Sequence, residues 1–238
     1  MVAIEVAIDR MLSTIDNNKK LIIPLSGGYD SRLILAMLIE KGYKDNIVCY
    51  TYGIKQDYEV NNASKVAKVL GVNWHFVEYT NEKWDRALVE NKDILDKYLT
   101  YSFNYSSLPH LQDYIAIDEL LKTGVISDGD VIVPGYCGDV PAGSFIPDKK
   151  YDLSSAEAVA KYTFFKHYIN TACSDNIKQK LIKNLKKNYN NEKIGLGGFD
   201  EAEREYEQWC INTRLTMWVL NSLRLFEFYG LEWRLPLW

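Results

Sequence analysis

Cysteine is scarce in this 238-residue chain, and no two cysteines form a C-x-x-C pair. The four that occur are widely scattered: Cys49, Cys137, Cys173 and Cys210. This spacing supports neither a disulfide framework nor a cysteine-ligated zinc site, and it is typical of reduced thiols. The sequence therefore predicts a cytoplasmic protein.

Histidine is scarcer still. The three histidines share no metal-ligand spacing: His75, His110 and His167. We expect ordinary structural or surface roles for them. The G-x-S-x-G motif of Ser-His-Asp hydrolases is also missing from the sequence. Neither a histidine metal centre nor that hydrolase chemistry is predicted.

Long apolar runs and basic blocks are missing too. No apolar run approaches the roughly 18 residues of a membrane-spanning helix. The first twenty positions contain Glu5, Asp9 and Asp16, which do not fit a signal peptide. The formal net charge is −4, without a cluster of basic residues. We therefore expect neither nucleic acid nor a membrane as the main partner.

What the chain does contain is 47% hydrophobic residues, enough for one sizeable core. Short apolar runs predict strands at residues 21–25, 47–52, 74–79 and 130–134. Helical segments lie between the first three strands at short intervals, which is the pattern of a parallel sheet with right-handed crossovers. We predict an α/β fold, a doubly wound and Rossmann-like parallel sheet.

The strand pattern ends at about residue 154, and a helical C-terminal part follows. Helices are predicted at 156–170 and 175–189, a loop at 188–198, and one or two helices at 200–229. We therefore divide the chain into a core domain, 1–153, and a helical extension, 154–238.

The most informative stretch joins the first strand to a nearly all-apolar helix through Ser-Gly-Gly-Tyr-Asp-Ser. We call this stretch, Ser26–Ser31, the phosphate loop. A strand that turns through two glycines into a helix exposes backbone N–H groups at the positive end of the helix dipole. Such a corner binds phosphate. Hydroxyls of Ser26 and Ser31 add donors, and Asp30 can hold a divalent cation.

Two familiar nucleotide motifs do not fit the loop. A Walker loop needs Lys-Ser/Thr after its last glycine, whereas Gly28 is followed by Tyr29 and Asp30. The G-x-G-x-x-G dinucleotide motif is missing as well. Two adjacent glycines alone are equally consistent with a corner that merely relieves crowding.

A second glycine-rich turn, residues 135–139, follows the fourth predicted strand. In open α/β sheets, ligands bind at the carboxyl ends of strands near the reversal of strand order. Both glycine turns occupy such ends. We therefore expect the two turns to face each other, with Asp30 and Asp139 close enough to share one bound nucleotide.

The phosphate loop resembles the pyrophosphate loop of the N-type ATP pyrophosphatases, and the resemblance is closest to the synthetase domain of asparagine synthetase. Four segments carry it, in the order of that family. They are Ser26–Ser31, then Thr51-Tyr52-Gly53 with the following helix, then Pro134-Gly135-Tyr136-Cys137-Gly138-Asp139, and last Glu232-Trp233-Arg234-Leu235-Pro236-Leu237. The resemblance covers most of the chain and implies an adenine nucleotide alpha hydrolase-like fold, with 1–153 as its ATP pyrophosphatase core.

The resemblance also implies a reaction. A substrate carboxylate attacks the α-phosphate of ATP to give an acyl-adenylate and pyrophosphate, and ammonia or an amine then displaces AMP. ATP and Mg²⁺ are the implied cofactors, with Asp30 and Asp139 as metal ligands. The implied nucleotide-binding residues are Ser26, Gly27, Gly28, Asp30, Ser31, Tyr52, Gly53 and Gly135. The implied catalytic residues are Tyr136, Asp139, Glu232 and Arg234.

The chain departs from the asparagine synthetase pattern at Tyr136, where that family has a glutamate. β-Lactam synthetase resembles this chain there, so Tyr136 is a candidate base or base partner. The family also has a glutaminase domain ahead of this point and a lysine segment beyond the position of Trp238. We therefore expect nitrogen from free ammonia, an amine substrate or a separate glutaminase subunit, and a chain truncated at its C-terminus. A homodimer stays open.

Together these features predict an ATP-dependent, amide-forming ligase of the asparagine synthetase type. Two alternatives stay open. One is another member of the superfamily, such as an NAD-forming or tRNA-thiolating enzyme, although the missing cysteine pairs disfavour thiolation. The other is a non-catalytic ATP- or AMP-binding partner or sensor domain derived from this family.

Overall fold

The computed structural model describes residues 2–103, 107–170 and 172–238. The chain forms two compact units. The sheet unit comprises Met1–Ala142 and Met217–Trp238, and the helical unit comprises Gly143–Thr216. Unlike the predicted division, residues 217–238 belong with the sheet. Within the described ranges, every helix is too short or too polar to cross a membrane.

Five parallel strands form the sheet of the described residues: β1 (Leu21–Pro24), β2 (Ile47–Gly53), β3 (Asn73–Glu78), β4 (Val131–Ile132) and β5 (Glu232–Trp233). Their order is β3-β2-β1-β4-β5. The α/β, doubly wound prediction is thus confirmed. The strand order reverses at β1, which pairs with β2 on one side and β4 on the other. This reversal creates a crevice at the carboxyl ends of β1 and β4.

Helices connect the strands and continue the chain: α1 (Val2–Leu12), α2 (Tyr29–Glu40), α3 (Tyr58–Leu70), α4 (Asn81–Asp85), α5 (Lys92–Ser102), α6 (Tyr114–Lys122), α7 (Ala156–His167), α8 (Asp175–Lys186), α9 (Asn191–Cys210) and α10 (Thr216–Phe228). Single π-helical turns precede α5 and α10, at Arg86–Glu90 and Ile211–Leu215. The first of these turns separates α4 from α5.

The first strand and the helix after it form the centre of the sheet unit's core. Ile22, Ile23, Leu35 and Leu38 are all fully buried. The nearly all-apolar composition of these segments accounts for this, because burial on every side removes the need for a polar face. The phosphate loop is consequently held between two rigid elements.

One predicted loop is wrong. Residues 188–198 were expected to lack regular structure because of their glycines, but α9 begins at Asn191 and runs to Cys210. Ile194, Ala202 and Tyr206 on this helix are fully buried in the core of the helical unit. Tertiary packing of these side chains offsets the roughly 1 kcal/mol by which each helical glycine is disfavoured relative to alanine.

Candidate active site

The phosphate loop leaves β1 and enters α2 without any side chain capping the helix. Gly28 is the N-cap residue and makes no side-chain capping bond. The hydroxyls of Ser26 and Ser31 lie 3.1 Å apart, and the Gly28 N–H donates to Ser26 Oγ at 3.1 Å. Helix N-termini with uncapped N–H groups favour anions. The loop therefore presents both hydroxyls and a helix N-terminus to the crevice.

The second glycine turn packs directly against the phosphate loop. A Cβ placed on Gly135 would lie 2.8 Å from the Ser31 backbone nitrogen. A Cβ on Gly138 would lie 2.5 Å from each carboxylate oxygen of Asp30 and would overlap Asp30 Cγ. The contact at Gly135 is with backbone, so glycine is required there, whereas a side chain at position 138 would force the Asp30 carboxylate to move. The sequence expectation that the two turns face each other matches this geometry.

Asp30 and Asp139 form an acidic pair at the contact between the turns. Burial raises the pKa of Asp30, and the negative charge of Asp139 raises it further. Two carboxylates that repel each other in this way are stabilised by a divalent cation between or beside them. The described residues contain no cluster of three or more His, Cys, Asp or Glu side chains suited to a metal. A pair of carboxylates completed by substrate phosphates is, however, the usual way in which Mg²⁺ is bound.

Cys137, between these glycines, has a φ of +72°, a left-handed conformation that is uncommon outside glycine. Its thiol is buried, which raises its pKa to about 12. Such a thiol stays protonated at neutral pH and is a poor nucleophile. Cys137 therefore serves the turn rather than covalent chemistry.

A cavity of about 250 Å³ opens between the two turns. Seven of the residues predicted to act here line it: Ser26, Gly28, Asp30, Ser31, Tyr52, Gly135 and Tyr136. Gly27, Gly53 and Asp139 are not part of its wall. The position of Gly27 is instead dictated by α3, since a Cβ on Gly27 would lie 3.1 Å from Glu59 Cα.

Glu232 and Arg234 lie elsewhere, and the structure does not bring them to the cavity. The Glu232 carboxylate accepts from Lys19 Nζ and, at 3.0 Å, from Arg234 Nη2. Arg234 also donates to Thr14 Oγ1 at 2.9 Å. Lys19 and Thr14 precede β1, so the two side chains meet near the amino end of that four-residue strand, roughly 13 Å from its carboxyl end at about 3.3 Å per residue. The physical reason is that β5 starts at Glu232, beside the first residue of β4.

Asp113 is a wall residue that the sequence analysis missed. It is 2% exposed and accepts hydrogen bonds from Tyr50 Oη at 2.6 Å, Tyr52 Oη at 3.2 Å and His110 Nε2 at 3.0 Å. The available signal was the pairing of His110 and Asp113 three residues apart, just before a helix.

Tyr136 is partly buried, and its ring centroid lies 5.3 Å from that of Trp218. Burial raises the pKa of its phenol well above the ordinary value, and the charge of Asp113 adds to this effect. The phenol is therefore protonated at neutral pH. The sequence makes Tyr136 a candidate base or base partner, and the protonated phenol favours a hydrogen-bond donor over a base.

Comparison with known proteins supports the PP-loop superfamily, that of the N-type ATP pyrophosphatases. The profile of the family described as queuosine biosynthesis protein QueC matches residues 20–109, less than half of the chain. The tRNA-specific 2-thiouridylase MnmA of Acholeplasma laidlawii is 27% identical over 143 residues, which cover 52% of this chain and 38% of that protein. The 7-cyano-7-deazaguanine synthase of Stutzerimonas stutzeri is 41% identical over 61 residues, which cover 26% of this chain and 27% of that protein.

Among solved structures, an NH3-dependent NAD synthetase from Campylobacter jejuni aligns over 95% of this chain and 93% of its own, at 14% identity and a TM-score of 0.39. The chain spans less than two fifths of the length of the two curated relatives. The segment that the QueC profile matches contains the phosphate loop. Together with the two curated relatives, this match supports the PP-loop superfamily, whose cofactors are ATP and Mg²⁺. They do not support the asparagine synthetase branch in particular.

Proposed function

We propose that this chain is an ATP-dependent enzyme that activates a carboxylate as an acyl-adenylate and transfers it to ammonia or an amine. The observation that carries the proposal is the close contact of the two glycine turns at the acidic pair Asp30 and Asp139. A leaving pyrophosphate requires cancellation of its developing charge. The turns offer backbone N–H groups, two hydroxyls and two carboxylates for a metal within one crevice.

Each group has a specific task in this proposal. The N-terminus of α2, Ser26 and Ser31 hold the leaving pyrophosphate. Asp30 and Asp139 hold Mg²⁺, which supplies charge neutralisation and Lewis-acid polarisation of the phosphates when bound. Tyr136 donates a hydrogen bond inside the cavity. Tyr52 and Gly135 border the adenosine.

The asparagine synthetase type is a narrower form of the proposal and rests on the sequence resemblance of the second turn. The terminal Glu232-x-Arg234 segment lends it less support than the sequence suggested, because both side chains form ion pairs at the opposite end of the strands. We therefore place carbon–nitrogen bond formation in the proposal and leave the acid unspecified.

Exchange of labelled pyrophosphate into ATP, driven by a panel of carboxylic acids, tests the proposal. We expect exchange with the unmodified protein and a loss of at least 100-fold for Asp30→Ala, in line with the weight of such charge contacts. Asp45→Ala on the exposed turn before β2 is the control and should exchange normally. Absence of exchange with every acid would reject the enzymatic proposal.

A non-catalytic nucleotide sensor is the second candidate. The observation that favours it is Tyr136, whose raised pKa makes it a poor base at neutral pH. Calorimetry with ATP and AMP separates the two. Tight binding of either nucleotide without exchange supports the sensor, whereas exchange rejects it.

A further inference from the structure

The wall of the cavity beside the phosphate loop carries negative charge. Among the described residues that line it, three have carboxylates, namely Asp30, Glu59 and Asp113, and none is a lysine, an arginine or a histidine. A bound triphosphate is itself strongly anionic, and Mg²⁺ at the acidic pair offsets only part of the combined charge. The site therefore favours a further cation, supplied by the protein at the edge of the loop.

Arg32 is the cationic side chain that the phosphate loop itself holds. Its Nε–H donates to the Gly28 carbonyl at 2.7 Å, and the centre of its guanidinium lies 4.5 Å from the centroid of the Tyr29 ring. Both partners belong to the phosphate loop, and Gly28 also lines the cavity. Arg32 is not a wall residue itself, but one hydrogen bond joins it directly to the wall.

The path from the guanidinium to the hydroxyls of the loop is short. Gly28 accepts the Arg32 bond at its carbonyl, and its own N–H donates to Ser26 Oγ at 3.1 Å. Ser26 lines the cavity, and its Oγ lies 3.1 Å from Ser31 Oγ. A single glycine thus separates the arginine from the two hydroxyls assigned to the leaving pyrophosphate. Tyr29 is 83% exposed, so the guanidinium packs on a ring that faces solvent.

Most of the hydrogen-bonding capacity of this guanidinium is unused. An arginine has five N–H donors, and in Arg32 the Nε–H alone has an acceptor among the described residues. The N–H groups of Nη1 and Nη2 are left, and their planar fork matches two oxygens of a phosphate. Because the Gly28 carbonyl and the Tyr29 ring already orient this fork, little side-chain freedom is lost when a phosphate binds.

We infer that Arg32 binds the β- and γ-phosphates of ATP and stays with the pyrophosphate as it leaves; this inference rests on the proposed function. The substrate carboxylate attacks the α-phosphorus, and an O–P bond forms. The bond from the α-phosphorus to the bridging oxygen breaks, and its electron pair leaves on the pyrophosphate. Arg32 keeps its protons throughout and offsets the charge that develops on this leaving group. Tyr29 is a positioning residue, because it acts on the phosphates only through Arg32.

A purely structural role for Arg32 would tie the first turn of α2 to the loop and do nothing more. Loss of such a tie would affect every ligand of the loop alike, because all of them contact the same backbone. The inferred contact affects only ligands that have a β-phosphate. ATP and free pyrophosphate meet this condition, whereas AMP does not. Comparison of these three ligands therefore separates the two roles.

Calorimetry with ATP, pyrophosphate and AMP, each with Mg²⁺, tests the contact. We expect Arg32→Gln to weaken binding of ATP and of pyrophosphate by about ten-fold or more, the usual effect of losing a hydrogen bond to a charged group, and to change AMP binding by less than about two-fold. Arg32→Lys keeps the charge without the planar fork and should fall in between. Arg10→Gln on α1 is the control and should bind all three ligands normally. An equal loss for AMP, or no loss for pyrophosphate, overturns the inference.

The packing of Arg32 on Tyr29 supplies the second test. Tyr29→Phe keeps the aromatic face and should bind pyrophosphate normally, whereas Tyr29→Leu should weaken this binding about three-fold through loss of the cation–π contact. Equal behaviour of the two variants overturns the positioning role of Tyr29. If no acid drives exchange, the proposed function fails while ATP and pyrophosphate binding still decide the role of Arg32. If the unmodified protein binds neither ATP nor pyrophosphate, the inference fails as well.

Discussion

At the scale of single residues, the candidate site depends on positions where a side chain is missing. Gly135 and Gly138 allow the second turn to touch the phosphate loop, and Asp30 occupies the space that a Cβ on Gly138 would need. Sequence patterns placed the glycines of both turns at the ends of predicted strands. The sequence also predicted that the two turns face each other, but not that Gly138 lies directly against the Asp30 carboxylate, because that contact joins residues more than one hundred positions apart.

Substitution of Gly138 by alanine should displace the Asp30 carboxylate and weaken the binding of Mg-ATP at least ten-fold, as measured by calorimetry. Because the acidic side chain can move away from the new Cβ, the free energy of unfolding should change by only about 1 kcal/mol. The double variant with Asp30→Ala should bind no worse than Asp30→Ala alone. Additive losses would mean that Gly138 acts independently of Asp30.

Tyr50→Phe removes one donor from the buried carboxylate of Asp113. An acceptor left short of a partner in a buried place costs about 1–3 kcal/mol, so we expect the free energy of unfolding in urea to fall by that amount. Tyr58→Phe is the matched control, since Tyr58 is 76% exposed. An equal effect of both substitutions would argue against the Asp113 network.

At the scale of elements, local signals placed the strands and helices that flank the site. Asp57 immediately precedes α3, and its side chain accepts from the Glu59 N–H at 3.0 Å. The helix ends at Gly71, which has a left-handed φ of +63°. Both signals are local, which is why the sequence contains them. In α9, by contrast, the local glycine signal was outweighed by burial.

Asp57→Ala should therefore lower the free energy of unfolding by about 1 kcal/mol, the usual value for a lost N-cap. Asp57→Ser retains a capping oxygen, so its free energy of unfolding should fall by about a few tenths of a kcal/mol at most. Thermal or urea unfolding of the two variants measures the difference. If both variants lose stability equally, the cap is not the stabilising feature at this position.

At the scale of the whole molecule, the order β3-β2-β1-β4-β5 decides where chemistry can occur. Because all strands run parallel, the carboxyl ends of β1 and β4 lie side by side at the reversal of order, and both glycine turns meet there. The same parallel order leaves Glu232, the first residue of β5, beside the first residue of β4, and the side chain of Arg234 turns back to bind it. A segment that resembles an active-site motif in sequence, such as Glu232-x-Arg234, can thus lie too far from the cavity to take the role that the motif has in the other family.

The helical unit gives the chain a pH-dependent stability. Burial of His167, assisted by the charges of Arg214 and Lys166, lowers the pKa of its imidazole to about 4. Below the ordinary value of about 6.5, the unfolded chain therefore binds a proton that the folded chain does not. The contribution of the neutral His167 imidazole to the free energy of unfolding should be fully present above about pH 6.5 and should be lost as the pH drops towards 4. Urea unfolding at several pH values measures it, and His167→Gln should flatten the dependence over this range.

The sequence by itself determined the α/β class, most element bounds in the sheet unit and the phosphate loop, because each depends on neighbours within a few residues. Only the tertiary structure decided which atoms of the two turns meet, that Asp113 lines the cavity with His110 bonded to it, and that Glu232 and Arg234 do not line it. Strand order sets these distances, and strand order depends on long-range packing that no local pattern encodes.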